Sequence, residues 1–174
     1  MLDQSIEQFN SETINSLEGL ETFLQQWNTS DNNCTAMSEK LLEYRIKLLL
    51  NLKKVYTFLY EYYSNLNREI SKKELRGKIS EKVCSILQIQ KRDERKKYRA
   101  LLRLLFLFQN KIVKNTEQLI LAGANVTFFS NLSNKNFGDF IRYISGKKDL
   151  VFDMDKASET FIEAGDVNIM LIDE

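Results

Sequence analysis

The chain has 174 residues, 43% of them apolar and 28% charged, with no His, no Pro, 2 Cys, 6 Gly and a formal net charge of +1. That apolar fraction excludes global disorder, and the lack of the two main breakers favours long uninterrupted helices. The absence of His removes the commonest general base, metal ligand and pH switch.

Charge is segregated. Residues 1–39 hold seven acids and no Lys or Arg, residues 149–174 hold eight acids and one base, and the middle holds 24 bases and nine acids. Two arrangements satisfy this pattern. The acidic ends lie against the basic middle, or the basic middle faces a polyanion such as DNA or RNA.

In chain order, the first element spans about residues 3–27. Ile6, Phe9, Thr13, Ser16, Leu20, Phe23 and Trp27 recur at spacings of three and four, an amphipathic helix with a partly polar stripe. The polar run at residues 28–33 predicts a turn. A second helix follows, capped by Thr35 or Ser38. Met37, Leu41, Tyr44, Leu48, Leu52, Val55, Leu59, Tyr62 and Leu66 mark one face, and Leu42, Ile46, Leu49, Tyr56, Tyr60 and Tyr63 widen it. Asn65, Leu66 and Asn67 predict its end, and Ser71 with Glu74 reads as a capping box opening the next helix.

Residues 78–122 contain neither Gly nor Pro, so the reading is one long helix, with a turn within 88–97 as the alternative. Its middle carries Lys91, Arg92, Arg95, Lys96, Lys97 and Arg99 beside Asp93 and Glu94. The acids read as a salt-bridged face, with Asp93 reaching Lys97. Arg99 and Arg103, set among leucines, form a pair able to clamp an acidic segment. Gly123 predicts a helix stop, and Phe137, Phe140, Ile141 and Ile144 a short helix ending at Gly146. Residues 150–152 and 167–172 look extended around a short helix at 155–164. They predict a small strand pair, or an acidic arm with an apolar hook.

The chemistry is sparse. No phosphate-binding glycine loop exists, and every His-dependent site is excluded. Cys34 and Cys84 form no C-x-x-C pair, fit a reducing compartment, and Cys84 reads as a small buried apolar residue. The sequons at Asn28, Asn33, Asn125 and Asn131 read as chance in a chain whose start lacks a secretion signal. The most apolar stretch, residues 100–108, is too short to span a bilayer and contains Arg103. These features predict a protein of the cytoplasm or nucleus, non-enzymatic, with no cofactor, no metal and no membrane span.

Residues 56–105 resemble the helical domain of the GINS replication proteins. The likeness rests on the aromatic-rich run Val55, Tyr56, Phe58, Tyr60, Tyr62 and Tyr63, and on Arg95, Arg99 and Arg103 spaced among leucines. It covers under half of the chain, and the prolines of that family are missing. It implies a replication-type scaffold with a small β domain after the helices, toward which Gly165, Asp166 and Val167 point.

The sequence therefore predicts an all-α protein, an elongated bundle of three to four long helices over residues 1–148. A short, acidic, β-containing extension occupies 149–174. Leu41, Leu48, Leu52, Val55, Leu59, Leu101, Leu104, Leu105 and Phe108 are the expected core. Lys91, Arg92, Arg95, Lys96, Lys97, Arg99 and Arg103 are the expected contact patch. The function expected is a scaffold or adaptor subunit of an intracellular complex, partnered with other proteins as a hetero- or homo-oligomer. The alternatives are a nucleic-acid-associated subunit using residues 91–99, and an effector or chaperone that binds a partner helix in a groove.

Overall fold

A computed structural model describes residues 14–35, 42–114, 118 and 126–164. Every regular element among them is helical: α1 (Leu17–Thr35), α2 (Leu42–Leu66), α3 (Lys72–Leu87), α4 (Lys91–Gln109), α5 (Val126–Asn131), α6 (Asn134–Ser145) and α7 (Met154–Ser158). A π-helical turn, Glu159–Glu163, continues α7. No described helix is long and apolar enough to cross a membrane.

Ser16 opens α1 by accepting the Gly19 amide at 3.0 Å, and Leu20, Phe23, Leu24 and Trp27 are buried. The helix then runs straight through residues 28–33, where the polar composition predicted a turn. The inward stripe explains this. Its next positions, Ser30 and Asp31, are also buried, and Asp31 meets Arg45 of α2 at 3.2 Å. The indole of Trp27 donates to the Leu48 carbonyl at 2.7 Å, a second tie to α2. The segment before residue 14 lies outside the described residues.

The described apolar surface of α2 is buried or half-buried apart from Leu66, which is exposed. Ile46, Leu48, Leu49, Leu50, Leu52, Val55, Tyr56 and Leu59 are buried, and α2 packs on α1, α3, α4 and the π-turn. Each Leu or Phe so buried contributes about 1.5–3 kcal/mol. Leu48, Leu52, Val55 and Leu59 are core residues as expected, and Leu41 lies outside the described residues. The helix ends at Leu66, in the Asn-flanked break.

Ser71 caps α3, accepting the Glu74 amide at 3.2 Å. Residues 78–122 are not one helix: α3 stops at Leu87 and α4 starts at Lys91. The stop is Gln88, held in the left-handed region at φ 56°, ψ 48°. The Ile89 amide returns to the Cys84 carbonyl at 3.1 Å and satisfies the helix end. A tight return lets α3 and α4 pack on each other and on α2, burial that a straight rod forgoes.

Helix α4 has two halves. From Ala100 to Phe108 every residue is buried, on all sides of the helix. A helix enclosed all round is the centre of a fold. Ahead of it, the first turns carry the cations and face water on one side.

Ser133 caps α6, and Gly146 ends it at φ 67°, as its position predicted. Phe129 and Phe137 are buried, and the Phe152 ring meets Phe106 and Phe137 edge-on at 5.2 and 5.0 Å. Residues 150–152 form no strand; Phe152 is turned into this aromatic cluster and Val151 stays exposed. The other expected strand, 167–172, lies outside the described residues. The short helix expected at 155–164 is present as α7 and its π-turn, anchored by buried Ala157, Phe161 and Ile162.

Candidate functional site

Glu94 points inward. It shares one stripe with Tyr98, Leu101 and Leu105, at helical spacings of four, three and four, and it is fully buried. Its carboxylate accepts from the Tyr56 hydroxyl at 2.6 Å and the Ser80 hydroxyl at 2.7 Å. Arg76 Nη2 donates to both of its oxygens at 2.9 Å. The guanidinium carbon of Arg76 also lies 3.9 Å from the Tyr98 ring centroid. One carboxylate thus joins α2, α3 and α4. Burial, then the nearby Glu94 charge, pushes the Tyr56 phenol well above its usual range. Burial likewise raises Tyr98, whose hydroxyl shares a hydrogen bond with Ser158 of α7.

The cations of α4 divide by direction. Arg92, Arg95, Lys96 and Arg99 follow one another at i, i+3, i+4 and i+7, which sets them on one ridge. Lys91 is exposed and 4.0 Å from Glu81. Arg92 and Arg95 are exposed and Lys96 half-buried. None of these last three makes an ion pair with another described residue. Lys97 turns away from the ridge and sits 5.5 Å from the Trp27 ring centroid. No ion pair joins it to Asp93 among the described residues.

Arg99 and Arg103 continue the ridge beneath α5. Arg99 donates to the Ser130 carbonyl at 3.3 Å. Arg103 is fully buried, so it belongs to the interior and not to the contact patch. It donates to the carbonyls of Phe129 at 2.8 Å and Leu132 at 2.7 Å, and to Asn134 Oδ1 at 3.0 Å. The clamp expected of this pair closes on the chain's own helix end. The orphan carbonyls at the C-terminus of α5 carry its negative dipole, and guanidinium groups complement both. Burial, and then the neighbouring Arg99, pull the Arg103 guanidinium down to about 10.

A groove borders the ridge on each side. The first, about 470 Å³, lies between α3, α4 and α7 and is lined by Lys72, Arg76, Arg95, Tyr98 and Arg99 facing Asp155, Ser158, Glu159 and Glu163. The three carboxylates recur every four residues, along one wall. Glu159 hydrogen-bonds Lys72, and Glu163 lies 3.8 Å from the same ammonium. Among the described residues the acidic C-terminal segment therefore reaches the basic middle at Lys72, and no ion pair joins it to the 91–99 cations. The second groove, about 320 Å³, is lined by Trp27, Lys96 and Lys97 together with Asp31, Arg45 and Asp93.

Among the described residues no group of three or more Cys, Asp or Glu is placed to hold a metal ion. Burial raises the Cys84 thiol, which disfavours the thiolate a nucleophile needs. Asp93 and Glu94 read in the sequence as a salt-bridged face; Glu94 is salt-bridged, but inward to Arg76 of α3, a partner the sequence does not single out. The signal for that inward direction was the register of Glu94 with Tyr98, Leu101 and Leu105. No protein-family model, curated protein or solved structure matches the chain.

Proposed function

We propose that the protein is a non-enzymatic helical scaffold, an adaptor subunit of a multiprotein complex inside the cell. In this reading the four longer helices form an elongated bundle, extended by the acidic segment after residue 148. It holds partners on the ridge of α4. One observation carries the reading: Arg92, Arg95 and Lys96 stand without ion pairs among the described residues, on a helix whose other half is locked in the core. A rigid cationic surface of this kind costs stability through self-repulsion, and a counter-charged partner repays it. The alternative, a nucleic-acid-associated subunit, uses the same cations.

The test is purification of the tagged protein from its native cell, as wild type and as the Arg92→Glu/Arg95→Glu/Lys96→Glu variant. The wild type should retain a stoichiometric partner that the variant loses, with both melting alike. Equal retention rejects the ridge as the contact surface. Partners that vanish on nuclease treatment favour the nucleic-acid reading.

A further inference from the structure

We propose that the junction of α2, α3, α4 and α7 is a hydration site, where an ordered water held by Arg76 joins the buried Glu94 network to the C-terminal helix. The site is separate from the cationic ridge and does not depend on what the ridge holds.

A cavity of about 30 Å³ lies at this junction. Its polar lining includes Tyr60 of α2, Lys72 and Arg76 of α3, Tyr98 of α4, Ser158 of α7 and Glu163 of the π-turn. A water needs about 10–15 Å³ of such space, so the cavity admits a water and little that is larger.

The Arg76 guanidinium is only half spent. Its Nη2 serves both oxygens of Glu94 at 2.9 Å. Its Nη1 is buried and meets no acceptor among the described residues. Buried N–H groups are paired with protein or with ordered water, because leaving one unpaired forfeits its hydration.

The lining decides what fits. Tyr98 and Ser158 share a single hydrogen bond between two hydroxyls, which leaves one proton and further lone pairs over. Tyr60 hydrogen-bonds Glu163, a carboxylate with capacity to accept more. The Glu163 carboxylate also lies 3.8 Å from the Lys72 ammonium. An anion in the cavity meets Glu163, and a metal ion meets Arg76 and Lys72, so a like charge opposes either. A neutral molecule that both donates and accepts satisfies every group. At this volume that molecule is water, accepting from Arg76 Nη1 and donating to Glu163 or to the Tyr98–Ser158 pair. Arg76 thereby faces Glu94 with one nitrogen and α7, through solvent, with the other.

The test is a high-resolution crystal structure of the full chain. A peak should stand about 2.7–3.2 Å from Arg76 Nη1 and from an oxygen of Glu163, Tyr98 or Ser158. Crystals soaked in bromide should give no anomalous signal there. In solution, water-proton relaxation dispersion should count fewer long-lived waters in Ser158→Met, whose flexible side chain fills the cavity, than in the wild type. An empty cavity, a protein acceptor on Nη1 or a bromide signal overturns the proposal, as do equal water counts. If Ser158→Met does not fold, the crystal structure decides alone.

Discussion

Tyr56 and Glu94, 38 residues apart in the chain, share a 2.6 Å hydrogen bond in the interior. The phenol is 1% exposed and the carboxylate 0%. A charge so enclosed is tolerable only with its partners in place, and Arg76 and Ser80 supply the rest.

Glu94→Ala strands the half-buried Arg76 charge together with two hydroxyl donors. Loss of one partner of a buried pair costs about 3–5 kcal/mol. Urea unfolding should show that loss, and Glu94→Gln, which keeps the shape, a smaller one. An effect below about 1 kcal/mol, the level of a surface pair, contradicts the network.

Alkaline pH should weaken the fold. Tyr56 and Tyr98 both hold their protons more tightly folded than unfolded, chiefly through burial. Their contribution is complete below the unfolded value of about 10 and fades as pH climbs through the folded ionisations. Unfolding midpoints between about pH 8 and pH 11 should fall at the upper end, coincident with tyrosinate absorbance. Tyr56→Phe should flatten the fall while costing about 1.5–3 kcal/mol at neutral pH. An unchanged slope in that variant removes Tyr56 from the explanation.

Arg103→Leu keeps apolar bulk but deserts the carbonyls of Phe129 and Leu132 and the Asn134 amide oxygen. Each buried acceptor left open costs about 1–3 kcal/mol. Amide exchange should accelerate first across α5 and α6, before the rest of the protein opens. Uniform acceleration would mean that Arg103 supports the whole fold and not that corner.

Gln88 occupies the left-handed region at a steric cost of about 1–2 kcal/mol that glycine avoids. Gln88→Gly should raise stability by about 1 kcal/mol, read from the thermal midpoint. Destabilisation would mean that the chain does not turn there.

The elements most legible in the sequence are those whose signal is local. The Ser71 cap, the α2 stripe and the Gly146 stop each follow from neighbours within a few residues. The α3–α4 turn stands in the sequence only as the alternative within 88–97, because Gln88 is no breaker in itself; the two helices it joins pack on each other and on α2. The helical course of residues 28–33 depends on Arg45, a distant partner for Asp31. The candidate site divides in the same way. Its cations were visible as composition and the inward face of Glu94 in its register with Tyr98, Leu101 and Leu105, while the partners of Glu94 and Arg103 needed the folded chain, Tyr56 and Arg76 for one and the end of α5 for the other.

Helix α4 is an axle set in a hub, enclosed at one end and open to water along one side at the other. A load applied to its cationic tip passes straight into residues 100–108, which meet neighbours in every direction. Severing the chain ahead of residue 91 would leave α1, α2 and α3 closed around a vacancy, a greasy slot that invites aggregation. Folding and the proposed docking thus draw on one rod, so a lesion at its inner end should silence the outer one without touching a single exposed charge.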